Sequence, residues 1–181
     1  MEKAPRNWAS RDRAEIYAEL DHPADLFLEI TGSDLSTLFE NALFALYDQV
    51  AVLAEFEARR ELTITVREAS PPDALRALLV EALYLFDTEG FVAAHAAVSV
   101  DTAAGPGDEA GDHLPESAAE RRAESAGGGP EGLGVTARLW GENADKARHA
   151  LSTEIKAVTY HQLTVARTLG GDWRATVLFD V

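Results

Sequence analysis

The chain contains no cysteine, which removes disulfides, thiolate nucleophiles and zinc–sulfur centres from consideration. Lysine is almost as scarce, present only as Lys3, Lys146 and Lys156. Sixteen basic residues stand against 31 acidic ones, a formal net charge of −15. Affinity for a phosphate backbone comes from clustered Lys and Arg that release counterions, so direct nucleic-acid binding is not expected. Such acidity is also what a solubility or salt adaptation of the host produces, and an acidic protein still reaches RNA through a basic partner. No apolar run approaches the about 18 residues that a membrane span needs. Residues 1–8 lack the basic-then-apolar order of a signal peptide. A cytoplasmic protein with no membrane association is the expectation.

What is present reads as one domain over residues 1–181, long enough to bury a core, with 46 % apolar and 26 % charged residues. One stretch differs in composition. Residues 103–134 are dominated by Ala, Gly, Glu and Pro, and their seven acids against two bases give a local net charge of −5. Leu114 and Leu133 are its only large aliphatic residues, too few to offset the cost of ordering the backbone. It reads as an acidic, mobile insertion between two strands, with a transient helix over 114–125 the most structure it would carry.

Outside the insertion, short strands are expected at 17–20 and 26–31, bracketing the loop Asp21-His22-Pro23-Ala24-Asp25. Ser33 or Asp34 can cap a helix whose apolar stripe is Leu35, Leu38, Phe39, Ala42, Leu43 and Leu46. Leu62, Ile64 and Val66 alternate with polar residues in a half-buried strand over 61–68. Ser70-Pro71-Pro72-Asp73 opens a second helix that stops before Gly90. Further strands are expected at 91–100, 135–140, 154–161, 163–167 and 173–181, with Gly170-Gly171-Asp172 as a hairpin turn. Two helices among about seven strands, the last of them consecutive, predict an α+β fold: a mixed, largely antiparallel sheet with both helices packed on one face.

Few residues carry recognisable chemistry. The final strand stays β-branched and aromatic up to Val181, so its end is held by a sheet and its terminal carboxylate is positioned beside Asp180. Two anionic groups at one strand end require open solvent or a cation. The 21–25 loop packs two acids and an imidazole into five residues. A polar turn that bonds its own backbone explains it as well as a ligand set does, and Pro23 holds His22 in an extended conformation. Lys156 lies mid-strand, where alternation puts it on one face with Glu154, Val158 and Tyr160. An ion pair with Glu154 would account for it. No nucleophile triad, phosphate-binding glycine loop or zinc-ligand spacing is visible.

Four separated segments share a resemblance. Leu20-Asp21-His22-Pro23-Ala24-Asp25, Leu83-Tyr84-Leu85-Phe86-Asp87-Thr88-Glu89-Gly90-Phe91, Glu154-Ile155-Lys156-Ala157-Val158-Thr159-Tyr160-His161-Gln162-Leu163 and Phe179-Asp180-Val181 resemble the archease family, in order and ending at the same place. The resemblance implies a small cytosolic protein that assists the GTP- and manganese-dependent RNA ligase joining tRNA halves, promoting its guanylylation and multiple turnover without being a ligase. It implies a divalent-cation site at Asp25, Asp180 and the terminal carboxylate of Val181, and a role for Lys156 in ligase activation. Pro23 departs from the family's usual Thr, beside the expected ligand but not part of it. An all-oxygen donor set suits calcium first, with magnesium or manganese as alternatives. Two other readings stand beside this one: a chaperone-like modulator of a tRNA-modifying enzyme such as a tRNA methyltransferase, and an autonomous metal-dependent hydrolase using His22 or His161 as base.

Overall fold

The computed structural model describes residues 8–102 and 132–181. The expected insertion and the helix over 114–125 fall outside the described residues, except at the insertion's last positions. There the expectation is corrected: Leu133 and Gly134 open a strand, and Leu133 is buried.

Among the described residues the chain forms β1 (Tyr17–Leu20), β2 (Leu26–Gly32), α1 (Leu35–Val50), β3 (Arg60–Glu68), α2 (Pro71–Glu89), β4 (Phe91–Thr102), β5 (Leu133–Asn143), β6 (Ala157–Val158), β7 (Thr164–Arg167) and β8 (Trp173–Asp180). The α+β class holds. The strands divide into two sheets, however, and every pairing is antiparallel. One sheet has the order β1-β2-β8-β6, with β7 also bonded to β8; the other is β3-β5-β4.

Local signals place the helices as the sequence suggests. Asp34 caps α1 by accepting the Thr37 N–H at 2.7 Å. Ser70 caps α2 with prolines in its first turn, and Gly90 ends it in the left-handed region at φ 67°, a conformation that costs glycine nothing. Packing then goes beyond the expected stripes. Both helices touch both sheets: α1 meets β2, β8 and β4, and α2 meets β3, β4, β5, β6 and β7. Phe44, Ala45, Tyr47 and Val50 are therefore buried along with the expected face of α1. In the strands the alternation is kept. Ile64 and Val66 are buried while Thr63 and Thr65 face water, and Leu28, Ile30, Val177 and Phe179 have no exposed surface. Each such large side chain contributes roughly 1.5–3 kcal/mol on burial.

The segment before β1 adds a clamp that no sequence pattern announced. Trp8 is buried against Phe44 (ring centroids 5.8 Å apart, edge-on) and Tyr47. Arg11 donates to Asn41 at 2.6 Å, and Arg13 and the Tyr17 hydroxyl both reach Asp48, at 2.7 and 2.6 Å. Burial, then the bond to anionic Asp48, pushes the Tyr17 hydroxyl well above its ordinary pKa, so it stays a donor.

The expected strand over 154–161 is mostly not a strand. Only Ala157–Val158 joins the ladder, opposite Asp180 and Phe179. Ile155 and Val158 are both buried, while Lys156 and Ala157 between them are both exposed, so a two-residue period fails. Tertiary contacts explain this. Arg76 of α2 donates to the Val158 carbonyl at 3.1 Å and lies 4.0 Å over the Tyr160 ring. Gln162 then turns the chain at φ 54° into β7. Lys156 accordingly does not share a face with Val158.

Upstream of this segment, Glu142 ties three stretches of chain together. It accepts the Glu57 N–H at 2.9 Å and both terminal nitrogens of Arg148 at 3.2–3.3 Å, with Arg59 Nε at 3.4 Å. His149, stacked 4.1 Å from Phe56, presents Nε2 to it at 3.4 Å. Burial by itself would raise the Glu142 pKa, but the Glu57 amide and the two guanidiniums together hold it below the ordinary carboxylate value.

Two stability outcomes follow. A Cβ at Gly141 would collide with the Val92 carbonyl oxygen, where β4 shifts register between Ala93 and His95, so Gly141→Ala should lower unfolding free energy by about 1–3 kcal/mol in urea titration. A carboxyl with a depressed folded pKa stabilises above its unfolded value and ceases to do so as pH falls through the folded one. Wild-type stability should therefore decline on acidification below about pH 4, and Glu142→Gln should be less stable at neutral pH with a shallower acid slope.

Candidate functional site

The ladder between β2 and β8 runs from Gly32↔Trp173 to Leu26↔Phe179. Asp25 and Asp180 are the residues directly beyond its last pair, on neighbouring strands at the same end of the sheet. β1 pairs with β2 from Tyr17↔Ile30 to Leu20↔Phe27, so the 21–25 loop turns over that same end. On the other side of β8, the Lys156 N–H donates to the Asp180 carbonyl at 2.8 Å. Phe179, Ile155 and Val158 are buried beneath and hold the main chain in place.

Asp180 is exposed and Asp25 half-buried. Asp25 Oδ2 lies 3.3 Å from His22 Nδ1, and the His22 ring stands edge-on to Phe27 at 6.2 Å. His22 Nδ1 is itself shielded from solvent and makes no well-aligned hydrogen bond, so the loop imidazole is aimed at the carboxylate rather than out to solvent. The expected Glu154 partner of Lys156 is replaced: its ammonium donates to the Val181 main-chain oxygen at 3.0 Å. Glu154 instead lies near Asp87 at the end of α2, whose carboxyl pKa is raised by partial burial and then by the Glu154 charge.

Asp25, Asp180, Val181 and Lys156 thus lie at the same end of the sheet, although more than 150 residues separate the first from the last. The groups at this end are hard oxygens, and one of them, the Val181 oxygen, accepts the Lys156 ammonium. Among the described residues no three His, Asp or Glu side chains gather to hold a metal. Any ion here would rest on two side-chain carboxylates and the Val181 main chain. His161 is exposed beside Gln162 and stands away from this set, in the turn before β7. A polar cleft of about 960 Å³ lies at the opposite end of the β2–β8 ladder, lined by Thr31, Gly32 and Trp173 among others. Its arginines are engaged, Arg11 with Asn41 and Arg174 with Glu29, and none of the four site residues lines it.

Sequence reasoning named these four residues as candidates but not the contact that joins two of them. Nothing in the local pattern of Lys156 signals Val181, because the bond exists only once β6 is laid on β8.

Known proteins match most of the chain. The model of the archease protein family covers residues 17–181. "Protein archease" from Archaeoglobus fulgidus is 38 % identical over 165 residues, spanning 91 % of this chain and 98 % of that protein. Its namesake from Methanosarcina barkeri is 28 % identical over 165 residues, 91 % of this chain and 95 % of that one. The solution structure of Methanobacterium thermoautotrophicum protein 1598 has the same fold, with a TM-score of 0.70 at 23 % identity over 92 % of this chain and 99 % of its own. No helix of the described residues is long and apolar enough to cross a membrane. Because the family model spans residues 17–181, the protein belongs to the archease family.

Proposed function

We propose that this protein is a non-catalytic, metal-binding activator of the GTP-dependent tRNA-splicing RNA ligase, acting in the cytoplasm to promote ligase guanylylation and multiple turnover. The observation that carries the reading is that the β2–β8 register sets Asp25 beside Asp180 at one end of the ladder, where Lys156 bonds Val181. Family membership and the exposed end of the sheet are the grounds for naming this partner.

The donor set fits a divalent cation with oxygen ligands, calcium first and magnesium or manganese next. Asp25, Asp180 and the Val181 main-chain oxygen would hold it. When bound, such an ion neutralises charge on phosphate oxygens of a nucleotide in the partner's active site. This chain's own residues position that charge. Buried Phe179 and Val158 fix the strand ends that would carry the donors, and the half-buried His22 lies 3.3 Å from the Asp25 carboxylate. Lys156 supplies a lysine ammonium at this end for a phosphate or carboxylate of the partner. No nucleophile or proton shuttle is needed from the activator, since the covalent step belongs to the ligase. A protein of net charge −15 suits docking against a basic protein surface rather than against RNA itself.

The reading is tested with purified ligase, GTP and manganese. Asp25→Ala and Asp180→Ala should each reduce stimulation of ligase guanylylation to the unstimulated rate. Both positions are at the surface, so both variants should unfold within about 0.5 kcal/mol of wild type in urea. Full stimulation by either variant would refute the assignment. Chelation followed by gel filtration should likewise remove stimulation, and readdition of the divalent cation should restore it.

A further inference from the structure

Among the described residues β3 pairs with β5 alone, so it forms one edge of the β3-β5-β4 sheet. Sheet edges are normally short, irregular or interrupted by proline, because their unpaired N–H and C=O groups invite another strand. The other edges keep to that rule. β1 and β7 have four residues each, β6 has two, and β4 shifts register between Ala93 and His95. β3 does not. It runs nine residues, Arg60–Glu68, without proline, glycine or a register shift against β5.

The sequence of this strand is complementary to itself. Laid antiparallel on a second copy with Ile64 opposite Ile64, Arg60 faces Glu68, Glu61 faces Arg67, Leu62 faces Val66 and Thr63 faces Thr65. Every charge meets its opposite, every apolar residue an apolar one, and threonine meets threonine; such cross-strand pairs stabilise neighbouring strands. A slip of one residue would set core-side residues opposite solvent-side ones. A slip of two sets Arg60 opposite Val66 or Leu62 opposite Glu68, and no ion pair remains. From this register we propose that β3 is the interface of a symmetric homodimer. Two β3 edges pair antiparallel across a two-fold axis and join two three-stranded sheets into one of six strands.

The surroundings of β3 agree with this. Glu61, Thr63, Thr65 and Arg67 are exposed on one face, while Ile64 and Val66 are buried on the other. Glu61 accepts Arg138 and the Trp140 indole at 2.9 and 3.1 Å, and a carboxylate has capacity for a further donor. Among the described residues Arg67 bonds only the Gly132 carbonyl, at 3.1 Å. None of Asp25, Lys156, Asp180 and Val181 belongs to this sheet, so each copy of the dimer keeps its own carboxylate end.

The test uses the full chain in about 0.15 M salt, where repulsion between two copies of net charge −15 is screened beyond roughly 8 Å. In sedimentation equilibrium up to about 1 mM protein, wild type should approach twice the 19.5 kDa of one chain. Arg67→Glu sets like charges opposite each other in both symmetric Glu61 pairs and should weaken dimerisation roughly tenfold. Combining it with Glu61→Arg restores opposite charges and should recover most of that loss, with circular dichroism showing both variants folded. Cross-linking reads the register directly and does not depend on those variants. The chain has no cysteine, so Thr63→Cys mixed with Thr65→Cys should oxidise to a covalent dimer faster than either alone, because only the mixture sets two thiols directly opposite. A monomer at every concentration overturns the β3 dimer. So does a dimer whose mixed cysteines link no faster than the separate ones, or whose folded charge-swapped variant regains nothing over Arg67→Glu.

Discussion

The antiparallel pairing of β2 with β8 is the constraint on which the rest of the molecule depends. Seven residue pairs, from Gly32↔Trp173 to Leu26↔Phe179, join the start of the domain to its last strand. A slip of one residue would turn Leu28, Ile30, Val177 and Phe179 away from the core, and all four have no exposed surface. Hydrophobic burial therefore fixes the register. The register in turn fixes which residues emerge past the last pair, and these are Asp25 and Asp180. The polar end of the sheet is placed by its apolar interior.

The two helices extend the same logic. Each is in contact with both sheets, so neither sheet can shift without disturbing α1 and α2 together. The segment 8–16 closes over α1 through Trp8, Arg11 and Arg13, and it precedes the residues matched by the family model. At the other side of the domain, Glu142 with Arg59, Arg148 and His149 pins the approach to the segment carrying Lys156. A buried carboxylate held by two guanidiniums and an amide is stable because its partners offset its desolvation. These anchors leave the carboxylate end on a well-packed base.

Charge gives the end its character. In a chain where acids outnumber bases almost two to one, one of only three lysines bonds the Val181 oxygen beside Asp180.

Much of this was legible in the sequence, and the reason is local. Asp34 and Ser70 announced helix starts, Gly90 a helix end, and Leu62, Ile64 and Val66 a half-buried strand, since caps and periods depend on residues a few positions apart. The family motifs likewise named Asp25, Lys156, Asp180 and Val181. What failed depended on distant partners. Residues 154–161 have strand composition, yet Arg76 from α2 takes the Val158 carbonyl and the Tyr160 ring, so only two of them pair. The division into two sheets, the all-round burial of α1 and the seating of Trp8 arise from packing between elements, which no short window contains. By itself the sequence determined the elements and the chemistry available. Only the tertiary structure decided which oxygen the Lys156 ammonium would meet, because a hydrogen bond across 25 residues exists only after the strands have found their register.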